Sequence, residues 1–191
     1  MKAYLPNVKW YYISSGDVKV DKTGHITIPD NKEGIPPVHL RGGHIIPVSG
    51  EQEFPNTESV RGKGVRLAVL PANDKTASGD LFWDDGESID TIERNQYNYY
   101  TFDLHKDCSL DIKVEKSGYK TNHTLTEIVI YGTNGDSIEA SLDGKHLDKA
   151  SYYMKGPMLV FKHNIDLNSK TIGQKWTLKW KSIKTNLCNV L

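Results

Sequence analysis

Positions 84–87 contain three carboxylates, the densest set of side chains in the sequence that could perform acid–base chemistry or bind a cation. They read Asp-Asp-Gly-Glu and follow the apolar run Leu-Phe-Trp at positions 81–83. Paired carboxylates perform acid–base chemistry in glycoside hydrolysis, and carboxylates also bind cations. Adjacent residues of a strand point to opposite faces, whereas carboxylates inside a turn bond nearby backbone N–H groups. We therefore predict a structural turn here, with cation binding and catalysis as the alternatives.

Two histidines flank an arginine and a pair of glycines at positions 39–44, which read His-Leu-Arg-Gly-Gly-His. Their spacing matches no zinc pattern, so we predict that His39, Arg41 and His44 pack in a sheet rather than bind metal. A Gly-Gly pair allows a positive φ or the close approach of another strand. The pair at residues 42–43 therefore predicts a tight crossing.

Aromatic residues offer a second kind of site. An aromatic ring with a polar tip provides a contact face at low entropic cost, which suits stacking on a sugar. The alternative is that these rings fill the cores of the sheets. We expect that alternate members fill the cores, and we place Tyr11 and Tyr99 among the outward members, which are the candidates for carbohydrate contact if that expectation fails. The residues concerned are the tyrosine pairs at 11–12, 99–100 and 152–153, with Trp10, Trp83, Trp176 and Trp180.

The apolar residues that must position these groups recur with a period of two. No segment holds a 3.6-residue period over ten residues. Each strand then has one apolar and one polar face, which is typical of antiparallel sheets packed as a sandwich. We predict an all-β fold of two consecutive antiparallel β-sandwich domains, residues 1–88 and 89–183, with a tail at 184–191. Predicted strands lie at 9–13, 18–20, 25–28, 38–48, 65–70, 79–83, 97–104, 110–115, 125–131, 138–142, 159–163 and 176–180. The sequence also predicts a polar loop at 30–34, a long exposed loop at 49–63 and a two-residue hairpin turn at Asp143 and Gly144.

Composition excludes some functions. The chain has 191 residues, with 24 Lys and Arg balanced by 24 Asp and Glu, and no basic block. Nucleic acid and anionic membranes are therefore poor partners. No segment approaches the ~20 apolar residues of a membrane-spanning helix, and no signal peptide is visible, which taken literally predicts a cytosolic chain.

Two features of the sequence bear on the cellular compartment. Asn122 begins an Asn-His-Thr glycosylation sequon, which has meaning only in the secretory pathway. Cys108 and Cys188 fit no metal spacing. They are either free thiols or one disulfide, and we expect free thiols because Cys188 lies close to the chain end.

Three segments together resemble glycoside hydrolase family 31. Residues 35–47, which read IPPVHLRGGHIIP, are similar to a segment that follows the catalytic barrel in that family. Residues 79–88, which read GDLFWDDGES, look like a second signature of the same region. Residues 3–6, followed by Trp10 and Gly16, resemble the entry into its first β domain. The resemblance is specific to about residue 94 and looser to about residue 180.

The resemblance implies a proximal and a distal C-terminal β-sandwich domain, which support a (β/α)₈ barrel. Members of the family are retaining α-glucosidases whose two catalytic carboxylates lie in that barrel. The nucleophile motif, an Asp-Met-Asn-Glu-like run, does not occur in this sequence, and a barrel needs ~250 residues. We therefore expect no catalytic, cofactor or metal residue here, and Asp84 and Asp85 match a non-catalytic part of the pattern.

Three functions follow as hypotheses. The first is a non-catalytic C-terminal portion of a family 31 α-glucosidase, with the barrel as its partner and a lysosomal or extracellular location for the parent. The second is a free-standing carbohydrate-binding module that contacts an α-glucan. The third, hydrolysis by the acidic residues of this chain itself, has the least support in the sequence.

Overall fold

Strands make up nearly all the regular structure of the chain, as seen in a computed structural model. The model describes residues 2–13, 24–28, 38–49, 56–61, 63–133, 137–185, 188 and 190. Within these ranges the helical elements are α1 (Thr57–Arg61) and a 3₁₀ turn (Lys149–Ser151). The strands are β1 (Lys2–Leu5), β2 (Trp10–Tyr12), β3 (Gly24–Thr27), β4 (His39–Arg41), β5 (His44–Ser49), β6 (Val65–Leu70), β7 (Ala77–Trp83), β8 (Asn98–Leu104), β9 (Ser109–Ser117), β10 (Thr124–Tyr131), β11 (Ile138–Leu142), β12 (Lys145–His146), β13 (Tyr152–Lys155), β14 (Met158–Asp166) and β15 (Lys175–Ser182).

Eleven of these strands form one curled sheet, in the order β12-β11-β15-β9-β8-β7-β5-β6-β10-β14-β13. Two small antiparallel sheets, β1-β3 and β2-β4, accompany it. Neighbouring strands are antiparallel except that β6 runs parallel to β10, and that β5 meets β7 in a single parallel pair. The predicted all-β class is confirmed, and the period-two pattern located the strands because each strand buries one face.

The curled sheet and its core continue across residues 88–89, the predicted domain boundary. β6 of the first half pairs with β10 of the second, and β7 pairs with β8 along seven residues. The inner face of the sheet buries side chains from both halves, such as Leu67, Phe102 and Leu110, in one apolar cluster. The division into two domains stays a prediction, and a boundary at residues 88–89 would separate strands that pair with each other.

The two cysteines lie in this inner core. Cys108 and Cys188 form a disulfide with their Cα atoms 5.2 Å apart. Our expectation of free thiols is wrong, because the end of the chain returns to the sheet. Val190 is buried and pairs with Thr133, which brings Cys188 beside the β8–β9 turn. Residues 188 and 190 thus belong to the core, although they fall in the stretch predicted as a tail.

The outer face of β6, β10 and β14 carries a smaller apolar cluster. Tyr11 of β2 and Leu40 of β4 pack onto Leu70, Tyr131 and their neighbours, so the small β2-β4 sheet covers part of this face. The hydroxyl of Tyr11 donates a hydrogen bond of 2.6 Å to the carbonyl of Pro71. This bond satisfies the polar tip of a ring that is otherwise enclosed by apolar groups.

The glycine pair lies where β4 turns into β5, and both proposed roles are present. Gly43 has a φ of +90°, a conformation that glycine adopts without steric cost. Gly42 is where strands approach closely, because a Cβ added there would lie 2.9 Å from Cβ of Lys9 and 3.0 Å from the carbonyl oxygen of Pro71. The predicted tight crossing is confirmed.

Other local predictions had mixed outcomes. Asp143 and Gly144 both have positive φ and join β11 to β12, which confirms the two-residue hairpin. The exposed loop predicted for residues 49–63 is wrong over Thr57–Arg61, where a helix begins after the capping Asn56. The strand predicted at 18–20 and the polar loop at 30–34 lie outside the described residues. No helix of the described part of the chain is long and apolar enough to cross a membrane.

Candidate functional site

The acidic turn, which we define as residues 84–88, follows directly on β7. The carboxylate of Asp84 accepts hydrogen bonds from the backbone N–H of Gly86 at 2.9 Å and from the hydroxyl of Thr91 at 2.9 Å. The carboxylate of Asp85 accepts from the N–H groups of Glu87 and Ser88, both at 3.0 Å, and from the Ser88 hydroxyl at 2.6 Å. The two side chains therefore bind their own turn, as predicted from the sequence.

Arg61 of helix α1 fixes this turn from the other side. Its Nε donates to the carbonyl of Asp85 at 3.1 Å, and its Nη2 donates to the carbonyl and the carboxylate of Asp84 at 2.9 and 3.2 Å. Its guanidinium also lies 4.8 Å from the ring centroid of Trp83. Gly86 has a φ of +74°, and a Cβ there would collide with the guanidinium. Any other residue at this position would strain the backbone and force the Arg61 guanidinium to shift.

The electrostatics of the turn oppose a catalytic role. Burial alone would raise the pKa of Asp84, but the hydrogen bonds from Thr91, Gly86 and Arg61 together hold it below its ordinary value. The side-chain hydrogen bond from Ser88, with the N–H groups of Glu87 and Ser88, lowers the pKa of Asp85 to about 2. A general acid in glycoside hydrolysis needs a raised pKa, which neither group has.

A stacked histidine, which the sequence did not single out as a site, extends this arrangement. The ring of His123 stacks on Trp83 with centroids 3.7 Å apart, and only 3 % of the residue is exposed. Its Nδ1 has no hydrogen-bond partner among the residues that the structure describes. Burial, with a smaller contribution from the Arg61 charge, lowers the pKa of His123 to about 4. The one sequence signal at this position was the sequon, whose Asn122 is exposed at the surface.

The residues around the glycine pair serve the small sheet. His39 pairs with Tyr12 across β2 and β4, and the two rings lie 5.5 Å apart. Arg41 pairs with Trp10, and His44 with Leu70 of β6. All three residues thus lie in paired strands, and the ring of His39 contacts Tyr12, but the side chains of Arg41 and His44 are exposed. Within the described residues no group of three or more His, Cys, Asp or Glu side chains could hold a metal ion.

The two tyrosines predicted to contact carbohydrate lie in different environments. Tyr11 is 0 % exposed, so the prediction that it points outward is wrong: β4 pairs with β2 and presses this ring onto the main sheet. Tyr99 is partly exposed on β8, opposite the exposed Phe82 of β7. Burial and the neighbouring Asp80 carboxylate raise the pKa of Tyr99. A sugar contact at Tyr99 stays a prediction.

A cavity on the outer face of the curled sheet, which we call the outer-face cavity, brings together side chains that the sequence did not connect. It encloses about 200 Å³ beside the covered part of that face. Its lining comes from four strands of the main sheet and from the residue that follows β2. The lining residues are Ile13, Arg66, Glu127, Val129, Tyr131, Tyr153, Lys155, Met158 and Val160.

The polar part of this cavity contains an ion pair and two tyrosines. Nη1 of Arg66 lies 3.5 Å from Oε2 of Glu127, which is longer than a charge-assisted hydrogen bond. The hydroxyl of Tyr131 lies 3.4 Å from the carbonyl of Ile13. The ring of Tyr153 is 42 % exposed, with the ammonium of Lys162 5.5 Å from its centroid. The cavity therefore presents a partly exposed aromatic ring beside a partly buried ion pair.

The sequence and the fold of the chain were each compared with known proteins, and both match glucosidases. No family model matches the chain. Intestinal sucrase-isomaltase of Suncus murinus is 29 % identical over 192 residues, which cover 96 % of this chain and 10 % of that protein. The human sucrase-isomaltase is 38 % identical over 127 residues, covering 65 % of this chain and 7 % of that protein. The chain thus spans about a tenth of the length of these relatives.

A solved structure agrees in fold. The crystal structure of the glucosidase II alpha subunit, bound to Glc1Man2, superposes with a TM-score of 0.71 at 19 % identity, covering 94 % of this chain and 21 % of that subunit. At this identity the match concerns the fold alone. The match to the Suncus murinus protein covers 96 % of this chain, which agrees with the resemblance seen in the sequence. The chain belongs to glycoside hydrolase family 31, as part of the C-terminal β region of its α-glucosidases.

Proposed function

We propose that this chain is the β support of a family 31 α-glucosidase, and that it packs against the (β/α)₈ catalytic barrel of that enzyme. The parent would hydrolyse terminal α-glucosidic bonds with carboxylates of the barrel. The observation that carries the proposal is the match to sucrase-isomaltase, which extends over 96 % of this chain but over 10 % of the relative. In the parent of this chain, the catalytic barrel would lie in the part that corresponds to the unmatched sequence of the relative.

An exposed apolar region beside the acidic turn supports a docking role. Ile89 is 101 % exposed and Ile92 is 62 % exposed, immediately after the turn. Phe82, two residues before the turn, is also exposed and stacks on Tyr97 at 4.9 Å. Large apolar side chains close together at a surface are typical of interaction sites. The tightly bonded acidic turn would hold them in a fixed position.

The geometry supports a chain that does not catalyse by itself. The carboxylates of Asp84 and Asp85 are occupied by hydrogen bonds within the turn and from Arg61, and their lowered pKa values keep them ionised. This favours a structural use of the acidic pair. We assign the catalytic carboxylates of the parent to its barrel.

The disulfide and the sequon both support a secretory parent. Disulfides persist in oxidising compartments, and Cys108 is bonded to Cys188. Asn122 is exposed directly before β10, where an oligosaccharide transferase would find it accessible. We place the parent in the secretory pathway, in a lysosomal or extracellular compartment.

The experiment begins with the transcript that encodes this chain. We expect its reading frame upstream of Met1 to encode a (β/α)₈ barrel. Expressed as two polypeptides, the barrel and this chain should co-purify and together hydrolyse 4-nitrophenyl α-glucoside, while this chain alone shows no turnover. The double variant Ile89→Asp with Ile92→Asp should abolish co-purification.

A matched control is the double variant Ile172→Asp with Ile183→Asp, which also replaces two exposed isoleucines by aspartates but lies outside the region around the acidic turn. It should leave co-purification unchanged. The proposal fails if no barrel is encoded upstream, or if this chain alone turns over the substrate and loses that turnover in Asp84→Asn.

A further inference from the structure

We propose that Asn122 carries an N-linked glycan, and that this glycan must be attached before β10 and its neighbours fold. Asn122 begins the one Asn-x-Ser/Thr triplet of the sequence. In the transfer, Nδ2 of Asn122 forms a bond to C1 of an oligosaccharide that is carried on a lipid diphosphate. The bond between C1 and the phosphate oxygen breaks, the lipid diphosphate leaves with the electron pair, and the amide loses one proton. This order of events rests on the secretory location proposed above for the parent, but not on its barrel.

The position of Asn122 leaves room for a glycan on the folded chain. Asn122 lies between β9 and β10 and is exposed, whereas the next residue, His123, is only 3 % exposed. A glycan is bulky and hydrated, so it is tolerated where the side chain that carries it already extends into water. The finished glycan would therefore leave the surrounding strands unchanged.

The rest of the triplet is held in the fold by three contacts. The ring of His123 stacks on Trp83 with centroids 3.7 Å apart. Thr124 is the first residue of β10 and pairs with the end of β14. On the other side of the triplet, the carbonyl of Thr121 accepts a hydrogen bond of 2.7 Å from Nδ2 of Asn168.

These contacts limit what a transferase can reach in the folded chain. The motif requires an asparagine and a hydroxyl residue two positions later, so the enzyme must read Asn122 and Thr124 together. Because the residue between them is buried, the folded chain presents both only when His123 leaves its stack and the start of β10 opens. Such local opening is a minor state of a folded protein. The folded chain should thus be a poor acceptor, although Asn122 itself is exposed.

The order of synthesis gives the transferase access before the triplet is held in place. Strand β14 and Asn168 follow Asn122 in the chain, and so does Cys188, which closes the disulfide with Cys108 around it. The chain emerges from its N-terminal side, so Asn122 can reach the enzyme while these partners are still being made. An unfolded segment of this kind can present both side chains at once.

Translation of the full chain behind a cleavable signal peptide, with endoplasmic-reticulum microsomes, tests the site. We expect one glycan, which endoglycosidase H removes and which Asn122→Gln abolishes. The matched control is Lys149→Asn in the Asn122→Gln chain, which places an Asn-Ala-Ser triplet on the exposed 3₁₀ turn. This control should also receive one glycan. A glycan on the control but none on the native chain would show that Asn122 is not a site.

Purified folded chains, offered to an oligosaccharyltransferase with a lipid-diphosphate-linked oligosaccharide, test the order of events. The native chain should be modified at least about tenfold more slowly than the control, because its triplet must first open. Peptides of residues 117–128 of the native chain and 144–155 of the control should react at rates within about threefold, because neither is folded. His123→Ala, which removes the stack on Trp83 and leaves an Asn-Ala-Thr triplet, should raise the rate of the folded chain at least about fivefold.

Equal rates for the folded native chain and the folded control would overturn the order of events. An unchanged rate in a folded His123→Ala chain would show that the stack does not protect the triplet. Urea unfolding curves establish that each chain is folded, and the native chain and the control decide the question if His123→Ala does not fold. Because the test supplies the signal peptide and uses this chain alone, its failure leaves the barrel-docking proposal unaffected.

Discussion

The acidic turn and the outer-face cavity contain the same kinds of groups but use them differently. Each has a carboxylate, an arginine and an aromatic ring. In the acidic turn the two carboxylates accept six hydrogen bonds, and Arg61 donates three. In the cavity the closest approach of Arg66 to Glu127 is 3.5 Å, and Tyr153 is exposed. The dense local hydrogen bonding of the acidic turn, rather than its residue types, marks it as a structural element.

The same difference explains why the acidic residues of a signature motif are poor evidence of chemistry. Asp84 and Asp85 stand where β7 ends, and each carboxylate bonds backbone N–H groups within the next three residues. Such local bonds stabilise a turn and lower the carboxylate pKa. The acidic residues of the motif therefore have a structural role, because they form a turn that links α1 to the end of β7. This role does not involve a substrate.

The largest effect that we expect from this comparison is the loss of Arg61. Arg61→Ala removes three hydrogen bonds and the contact with Trp83, and it leaves Asp84 without its guanidinium partner. We expect the free energy of unfolding to fall by about 3 kcal/mol, because charged hydrogen bonds to a partly buried carboxylate are lost. Urea denaturation at neutral pH measures this change.

Arg94→Ala is the matched control for this prediction. Nε of Arg94 lies 2.7 Å from Oδ2 of Asp90, in an exposed pair four residues apart. Such a pair contributes about 0.3–0.5 kcal/mol, so its loss should hardly change the unfolding curve. Equal losses in the two variants would mean that the acidic turn is no more structural than an ordinary surface pair.

The second prediction concerns pH and His123, whose ring stacks on Trp83. The pKa of His123 is lowered from an ordinary 6.5 to about 4, so the folded chain keeps the ring neutral where the unfolded chain protonates it. The stability from this group is complete above about pH 6.5 and is lost as the pH falls towards 4. The loss near pH 5 should be about 2 kcal/mol, from about 1.4 kcal/mol for each pH unit.

Replacing the ring tests this origin. His123→Phe keeps a flat ring against Trp83 but cannot bind a proton, so its stability should change less than that of the native chain between about pH 6.5 and 4. His163→Phe is the control, because His163 is exposed on β14. Urea midpoints measured across this pH range give the comparison. Parallel pH profiles for the native chain and His123→Phe would show that other groups govern the acid response.

The sequence predicted most of the fold and the local part of the candidate site. Period-two patterns located the strands, and the turn chemistry of residues 84–87 and 143–144 followed from interactions within a few residues. Tyr11 and Cys188 were placed wrongly because their environments depend on distant partners. Tyr11 is buried by the pairing of β2 with β4, and Cys188 reaches a partner 80 residues away. Neither partner leaves a signal in the neighbouring sequence.

The outer-face cavity was beyond sequence reasoning for the same physical reason. Arg66 and Glu127 meet because β6 runs parallel to β10, and a parallel pair between distant strands has no local signature. Tyr153 faces the cavity because β13 forms the edge of the sheet beside β14. The sequence supplied the residue types, while the topology of the curled sheet brought them together.

The smallest effect completes the comparison between the two arginines. Arg66→Gln removes a partly buried ion pair whose closest atoms are 3.5 Å apart, so we expect the free energy of unfolding to fall by less than about 1 kcal/mol. Arg61→Gln, an identical substitution in the acidic turn, should cost at least twice as much, because a glutamine cannot donate to the carbonyls of Asp84 and Asp85 and to a carboxylate at once. If Arg66→Gln proved as costly as Arg61→Gln, the ion pair of the cavity would be a structural element.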